Sequence, residues 1–300
     1  MTSAAEILEL KRERDAVILA HNYQIGPVQD VADLVGDSLE LSRAAARLAS
    51  EVIIFCGVDF MAETAAILSP AKTVVLPAAG AFCPMAHMIT SEQLREMKAL
   101  HPEAAVVCYV NSSAEAKAES DICCTSANGV QVVQSLEEKK VIFVPDRNLA
   151  AYVARFTDKK IIPWDGYCYV HERFRPEEVR AARRQHPDAE VLVHPECRPE
   201  VIDLADYVYS TSGMSRHAQK SRAREFVIGT EVGMIYRLKK DSPDKEFYPL
   251  SPMAICENMK KTDLSLIERA LQTLQPMVMV PEDVAARAKR AIERMLEVKV

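Results

Sequence analysis

Three hundred residues, 49% hydrophobic and 27% charged, allow two or three ordinary domains with a substantial core and exclude a disordered or low-complexity chain. A net charge of −6 argues against nucleic acid as a partner, and nine glycines are too few for glycine-rich loops to be the main anion-binding device. No apolar run approaches the roughly 18 residues of a membrane span, and the opening MTSAAEILELKRERD is amphipathic and mixed in charge, without a signal core; a cytoplasmic setting with eight reduced cysteines is expected.

The first predicted element is a helix over residues 4–14, apolar at Ile7, Leu8 and Leu10, feeding a buried strand over 17–20 that ends beside His21. A second helical stretch, 28–34, leads to the turn GDS, a third helix, a strand over 52–56 and a last strand over 73–76 before Cys83. The pattern then restarts. A helix over 91–101, with Ser91 as its expected N-cap, precedes a strand over 105–110, a helical stretch over 114–119, the turn CTS, strands over 141–144 and 160–163, and Cys168. In the third round a helix over 176–186 carries proline at its first position, acids in its first turn and bases near its end, as the helix dipole favours. Then come a strand over 191–193, a helical stretch over 199–204, the turn STS, a strand over 226–228 and Cys256. The residues after Pro281 read as a closing helix.

These rounds are repeats. The segments ILAHNYQIGPVQDVADLVGDSLE, VVCYVNSSAEAKAESDICCTSAN and VLVHPECRPEVIDLADYVYSTSG superpose without a gap, putting His21, Tyr109 and His194 at one position and Ser38, Ser126 and Thr211 at another. A period this far above the roughly 20–50 residues of a solenoid unit suits small domains. Strands alternating with helices imply parallel sheets covered on both faces. The expected fold is therefore α/β, with three similar small parallel-sheet domains in a pseudo-threefold arrangement around a central active site. The expected divisions are 1–88, 89–172 and 173–257, with a helical extension, 258–300, packing back on the repeats. Ligands bind outside the carboxyl ends of such strands, so all three units should aim their strand-end residues at one place.

The repeat position singles out Cys83, Cys168 and Cys256. No CxxC pair exists, and three thiolates without a fourth suit a four-iron cluster with one iron free of protein ligands. Three buried thiols, or structural zinc, are the plainer readings. Cys56 and Cys108 fall within strands and read as core; Cys123 and Cys124, expected in a turn, and Cys197 are expected to be structural. The strand ends HNY, YVN and HPE supply His21, Tyr23, Tyr109, Asn111, His194 and Glu196, a donor-rich cup with one carboxylate. Ser38, Ser126 and Thr211 stand at the expected starts of third helices. Capping alone would explain them, although helix starts also bind phosphate or carboxylate and so imply a substrate with several anionic groups. Arg216, Lys220 and Arg222 could assist, an exposed basic helix being the commoner explanation.

The strings HNYQ, GDSL, CGVDFMAETA, FCPMA, YVNSSAEAKAESDICCTSAN, PDRNLA, GYCYVHE, HPEC, ADYVYSTSGM and ENMKKT, running from about residue 20 to 262, resemble those of the quinolinate synthase family. The resemblance implies an oxygen-sensitive 4Fe-4S cluster held by Cys83, Cys168 and Cys256 with one open iron. It implies condensation of iminoaspartate with dihydroxyacetone phosphate, losing phosphate and water to give quinolinate, a precursor of NAD. L-aspartate oxidase or aspartate dehydrogenase is the implied supplier of iminoaspartate. Substrate contacts map to His21, Ser38, Tyr109, Val110, Asn111, Ser126, His194, Pro195, Glu196 and Thr211. Tyr23 and Glu196 are the acid–base candidates, assisted by His21, Tyr109 and His194, with burial expected to move Glu196 and Tyr23 towards neutrality. Glu257 stands where many family members carry proline, and no extra cysteine beside Cys256 supports a local disulfide switch. Two other classes remain open: another 4Fe-4S hydro-lyase acting on a hydroxy acid, and a non-enzymatic iron–sulphur metabolite sensor.

Overall fold

In the computed structural model, which describes residues 4–299, each predicted first strand becomes an inner strand of its own sheet. Residues 1–3 of the first expected domain and residue 300 of the expected extension lie outside the described residues. The first sheet holds β1 (Ala16–His21), β2 (Leu34–Gly36), β3 (Val52–Cys56) and β4 (Thr73–Val75). The second holds β5 (Ala105–Tyr109), β6 (Ile122–Cys124), β7 (Lys140–Val144) and β8 (Lys160–Pro163). The third holds β9 (Glu190–Val193), β10 (Tyr207–Val208), β11 (Glu225–Gly229) and β12 (Glu246–Pro249). Every pairing is parallel, and each sheet has the same order: second, first, third, fourth.

Register repeats as well as order. Leu19 lies opposite Leu34, Val107 opposite Ile122 and Leu192 opposite Tyr207, fifteen residues apart each time. One acid per unit fixes that register. The carboxylates of Asp33, Asp121 and Asp206, just before each second strand, accept the N–H groups of Ile18, Val106 and Val191 at 2.8, 2.7 and 2.8 Å.

Those second strands depart from the sequence reading. Runs of two or three residues are too short to show alternation, so β2, β6 and β10 were hidden inside predicted helices and turns. The helices before β2 and β10 close early to make room, at Val31 and Ile202. Cys123 and Cys124 are thereby core residues of β6, fully buried, rather than turn residues. A smaller correction concerns the helix Ser91–Leu100. Its cap is Thr90, which accepts the Gln93 N–H while the Gln93 side chain accepts the Thr90 N–H.

Alternate residues of β1 and β3 bury into different layers. Val17, Leu19, Ile53 and Phe55 join a core that runs through all three units, whereas Ile18, Ala20, Val52, Ile54 and Cys56 face Ile7 and the helix Leu264–Thr273. The helix Glu282–Glu297 lies along β6 and the helix Ala114–Ala118, burying Ala288, Ala291, Ile292 and Met295. It covers an otherwise open sheet edge. Ile292→Ala should cost about 2–5 kcal/mol, read as a lower urea midpoint with unchanged slope, because the helix cannot collapse into the space left. Among the described residues no helix is long and apolar enough to cross a membrane.

Candidate active site

The carboxyl ends of the three inner strands meet. His21 ends β1, Tyr109 ends β5, and His194 follows β9; each is buried. They line a cavity whose empty space is about 740 Å³ with the solvent at its open mouth included. Tyr23, Asn111 and Glu196, two residues further along each chain segment, line it too.

Backbone geometry sets the state of both imidazoles. The Tyr23 N–H donates to His21 Nδ1 at 3.2 Å, and the Glu196 N–H donates to His194 Nδ1 at 3.3 Å. A ring nitrogen that accepts cannot carry a proton, so each neutral ring has its hydrogen on Nε2, the His194 Nε2 lying 3.2 Å from Ser126 Oγ. Burial holds both rings neutral, at a pKa of about 3 against the usual 6.5. Between these values the unfolded chain binds the protons and the folded chain does not, so stability is full above pH 6.5 and falls as pH drops towards 3. In metal-free protein each ring should remove roughly 1 kcal/mol per pH unit below 6.5. Thermal midpoints measured between pH 7.5 and 5 should follow that slope, and His21→Gln should flatten it.

A chain of close polar contacts joins the strand ends, hydrogen-bonded at each link except at His171 Nδ1, which is close to Glu196 without being aligned with it. The Tyr109 hydroxyl donates to Glu196 Oε1 at 2.5 Å; Glu196 Oε2 lies 2.7 Å from His171 Nδ1; His171 Nε2 is 2.8 Å from Thr230 Oγ1; and Thr230 Oγ1 is 2.5 Å from the Tyr23 hydroxyl. Burial opposes the charge of Glu196. The neighbouring His194 and His171 rings and the Tyr109 hydrogen bond reverse this and hold its carboxyl at about 2. Tyr23 and Tyr109 are pushed well above the ordinary phenol value, first by burial and then by the Glu196 charge. The expectation that burial would bring Glu196 and Tyr23 towards neutrality is therefore reversed. One is held as a carboxylate and the other as a phenol, because coupling of Glu196 to the His194 and His171 rings, more than its hydrogen bonds, outweighs its desolvation.

The hydroxyls also differ from their expected role. Asp37 caps the helix Ser38–Ala45, accepting the Leu39 and Glu40 N–H groups, and Ser210 caps Thr211–Lys220, accepting from Gly213. The second unit's helix starts only at Gly129. Each turn offers adjacent capping residues, two in the first and second units and three in the third, and the first of them is used in the first and third units. Ser38 and Thr211 are left as first helical residues and Ser126 in the turn, all three lining the cavity. Thr211 Oγ1 accepts from Asn22 Nδ2 at 2.8 Å. The cup holds three acids, Asp37, Glu196 and Glu231, where one was expected. No arginine or lysine lines it among the described residues; Arg216 pairs with Glu40 at 3.2 Å on the exterior, and Lys220 and Arg222 are exposed. Val110 and Pro195 are buried and do not line the cavity.

Cys83, Cys168 and Cys256 line the same cavity. Each precedes a short helical turn, Met85–His87, Tyr169–Glu172 or Glu257–Lys260. In each the backbone N–H three residues on, from Ala86, His171 or Met259, favours the thiolate. Burial raises all three thiols, and the charges of Cys83 and Cys256 reach Cys168. These three are half-buried, while the other five cysteines are buried; all eight are free. Donor atoms of Cys168, His171 and Glu196 lie within 4.8 Å of one another, close enough to share a metal.

His171, Thr230 and Glu231 are contributors the sequence reading did not single out. His171 stands three residues after Cys168, and Thr230 and Glu231 follow the third unit's β11, so the repeat itself was the available signal. Comparison with known proteins agrees with the geometry. A family described as quinolinate synthetase A protein matches residues 5–297. The quinolinate synthase of Methanoregula boonei is 62% identical over 291 residues, covering 97% of this chain and 96% of its own length. Those of Dehalococcoides mccartyi and Clostridium kluyveri are 57% and 55% identical, each covering 98% of this chain and 97% of their own lengths. A match of this extent, over a cavity built from the same position of three repeats, makes the chain a member of the quinolinate synthetase A family.

Proposed function

We propose that the protein is a quinolinate synthase that condenses iminoaspartate with dihydroxyacetone phosphate and releases phosphate, water and quinolinate for NAD biosynthesis. The observation that carries this reading is that the three repeat-related thiols line the same cavity as the three strand-end polar groups. A 4Fe-4S cluster fits the three thiols: the donors are soft, three in number, free and half-buried in one cavity. Cys83, Cys168 and Cys256 would hold it, and when bound it supplies a Lewis-acidic iron for a substrate oxygen.

The remaining work falls to the chain's own groups. The Nε2–H groups of His21 and His194 and the hydroxyls of Ser38, Ser126 and Thr211 serve as donors to carboxylates and phosphate. Asn111 Oδ1 is buried without a partner, an acceptor left for a substrate amine or hydroxyl. Val110 and Pro195 contribute through the backbone beside Asn111 and Glu196. Glu196 takes a proton from the substrate and the Tyr23 hydroxyl gives one to it; His171 and Thr230, lying between them, carry the balancing proton from Glu196 back to Tyr23. Phe60, Met61, Met85 and Met259 form an apolar wall that limits water. An oxidase or dehydrogenase acting on L-aspartate fits as the source of the unstable imine, in a cytoplasm that keeps the eight free thiols reduced.

The test is purification without oxygen, analysis for iron and sulphide, and incubation with both substrates, with quinolinate as the expected product. Dehydration of a simple hydroxy acid without condensation would replace this reading with a hydro-lyase. Ligand binding without turnover would replace it with a sensor.

A further inference from the structure

Each cysteine loop is tied down by the same two bonds, and no sulphur takes part in either. The first runs from a backbone N–H at the start of the fourth helix of the unit to the carbonyl two residues before the cysteine. Asp59 donates to Ala81 at 3.0 Å, Arg147 to Gly166 at 2.8 Å and Val232 to Ala254 at 2.9 Å. The second runs from the cysteine's own N–H to a carboxylate at that helix start. Cys83 donates to Asp59 Oδ1 at 3.0 Å, Cys168 to Asp146 Oδ2 at 3.2 Å and Cys256 to Glu231 Oε1 at 3.2 Å. Gly166 shows how close the approach is, since a Cβ there would run into the Pro145 carbonyl.

The same carboxylates hold the helix starts. Phe60 donates to Asp59 Oδ1 at 2.8 Å, Leu149 to Asp146 Oδ1 at 2.7 Å and Gly233 to Glu231 Oε2 at 2.7 Å. A helix cap needs only these bonds. The bonds to Cys83, Cys168 and Cys256, 24, 22 and 25 residues further along, exceed what a cap requires. Side-chain length also follows geometry. Asp59 is the first residue of its helix and Asp146 the residue before its helix; Glu231, two residues before Gly233, has the longer side chain. The acid moves along the chain, and the carboxylate still meets the cysteine N–H.

We propose that Asp59, Asp146 and Glu231 are positioning residues, one per unit, that clamp each cysteine N–H to the start of its neighbouring helix and so aim the three sulphurs at a common point. The inference rests on the cluster reading above. Its physical basis is that groups behind metal ligands fix ligand orientation, and their loss typically weakens metal retention about 10–100-fold.

The test uses the holoprotein, purified without oxygen. Asp146→Ser keeps an oxygen able to cap Leu149 but too short to reach Cys168 as well; Asp146→Asn keeps the cap and turns an amide N–H₂ against the cysteine N–H. Both should fold with wild-type far-ultraviolet circular dichroism. A chelator should extract their iron about tenfold faster than from wild type, and the paramagnetic resonance spectrum of the reduced cluster should shift. Asp33→Asn, which removes a turn acid that holds the first sheet's register instead, is the control; it should lower stability and leave extraction and spectrum unchanged. If Asp146 variants do not fold, Asp59→Asn decides, since that side chain is 25% exposed and its remaining partner, His87 at 2.7 Å, lies at the surface. Wild-type extraction and spectrum in a folded Asp146 or Asp59 variant overturns the proposal, as does an equal change in Asp33→Asn. A wild-type protein free of iron and sulphide would instead overturn the cluster reading itself.

Discussion

Cys256→Ala should fold like the wild type and contain no cluster. The thiol is half-buried at the N-terminus of a short turn, and losing one sulphur from such a position costs about 1 kcal/mol or less in packing. The effect on metal is of another order. Three thiols leave no spare protein ligand, and burial keeps each protonated until metal displaces the proton. With two sulphurs left, iron and sulphide should fall to background, visible absorption should vanish and quinolinate formation should become undetectable. Cys83→Ala and Cys168→Ala should match it. Cys197→Ala, in a fully buried core position, should lose stability and keep its iron. Full iron content in Cys256→Ala would remove that residue from the ligand set.

Glu196→Gln should separate the role of the thiols from that of the polar groups. Its iron content and colour should equal wild type, because no backbone bond to a cysteine loop depends on this side chain. Turnover should fall about 10²–10⁴-fold, the usual contribution of a positioned acid–base group. The amide can still accept from Tyr109, but its other end then directs N–H₂ at His171 Nδ1, which breaks the path to Thr230 and Tyr23. With its carboxyl held at about 2, Glu196 is ionised across the working pH range. An acidic limb in the wild-type rate near pH 6 would therefore not come from Glu196. Steady-state kinetics beside iron analysis checks both points; a rate within a few-fold of wild type removes Glu196 from proton transfer.

Repetition made much of the architecture legible. A motif that recurs with the same spacing carries its own control, so the inner strands, the three cysteines and the strand-end residues could be placed without knowing what they touch. The fourth helices were in the same pattern, and their leading acids went unused because an acid at a helix start already has a sufficient explanation as a cap. Edge strands of two or three residues are too short for a period to be seen. The hydroxyl turns misled for a related reason: GDS and STS each place capping residues side by side, and backbone angles decide which one caps.

What the order of residues fixed was local and additive: apolar runs that become buried strands, capped helices between them, and one thiol per unit in an equivalent place. Ionisation and proximity are neither local nor additive. Glu196 remains charged because a tyrosine from the second sheet and two histidines of the third unit's neighbourhood surround it, and the orientation of His194 depends on its own backbone and on Ser126 of another unit. Such energies fall off within a few ångströms, so they exist only once the three sheets have packed.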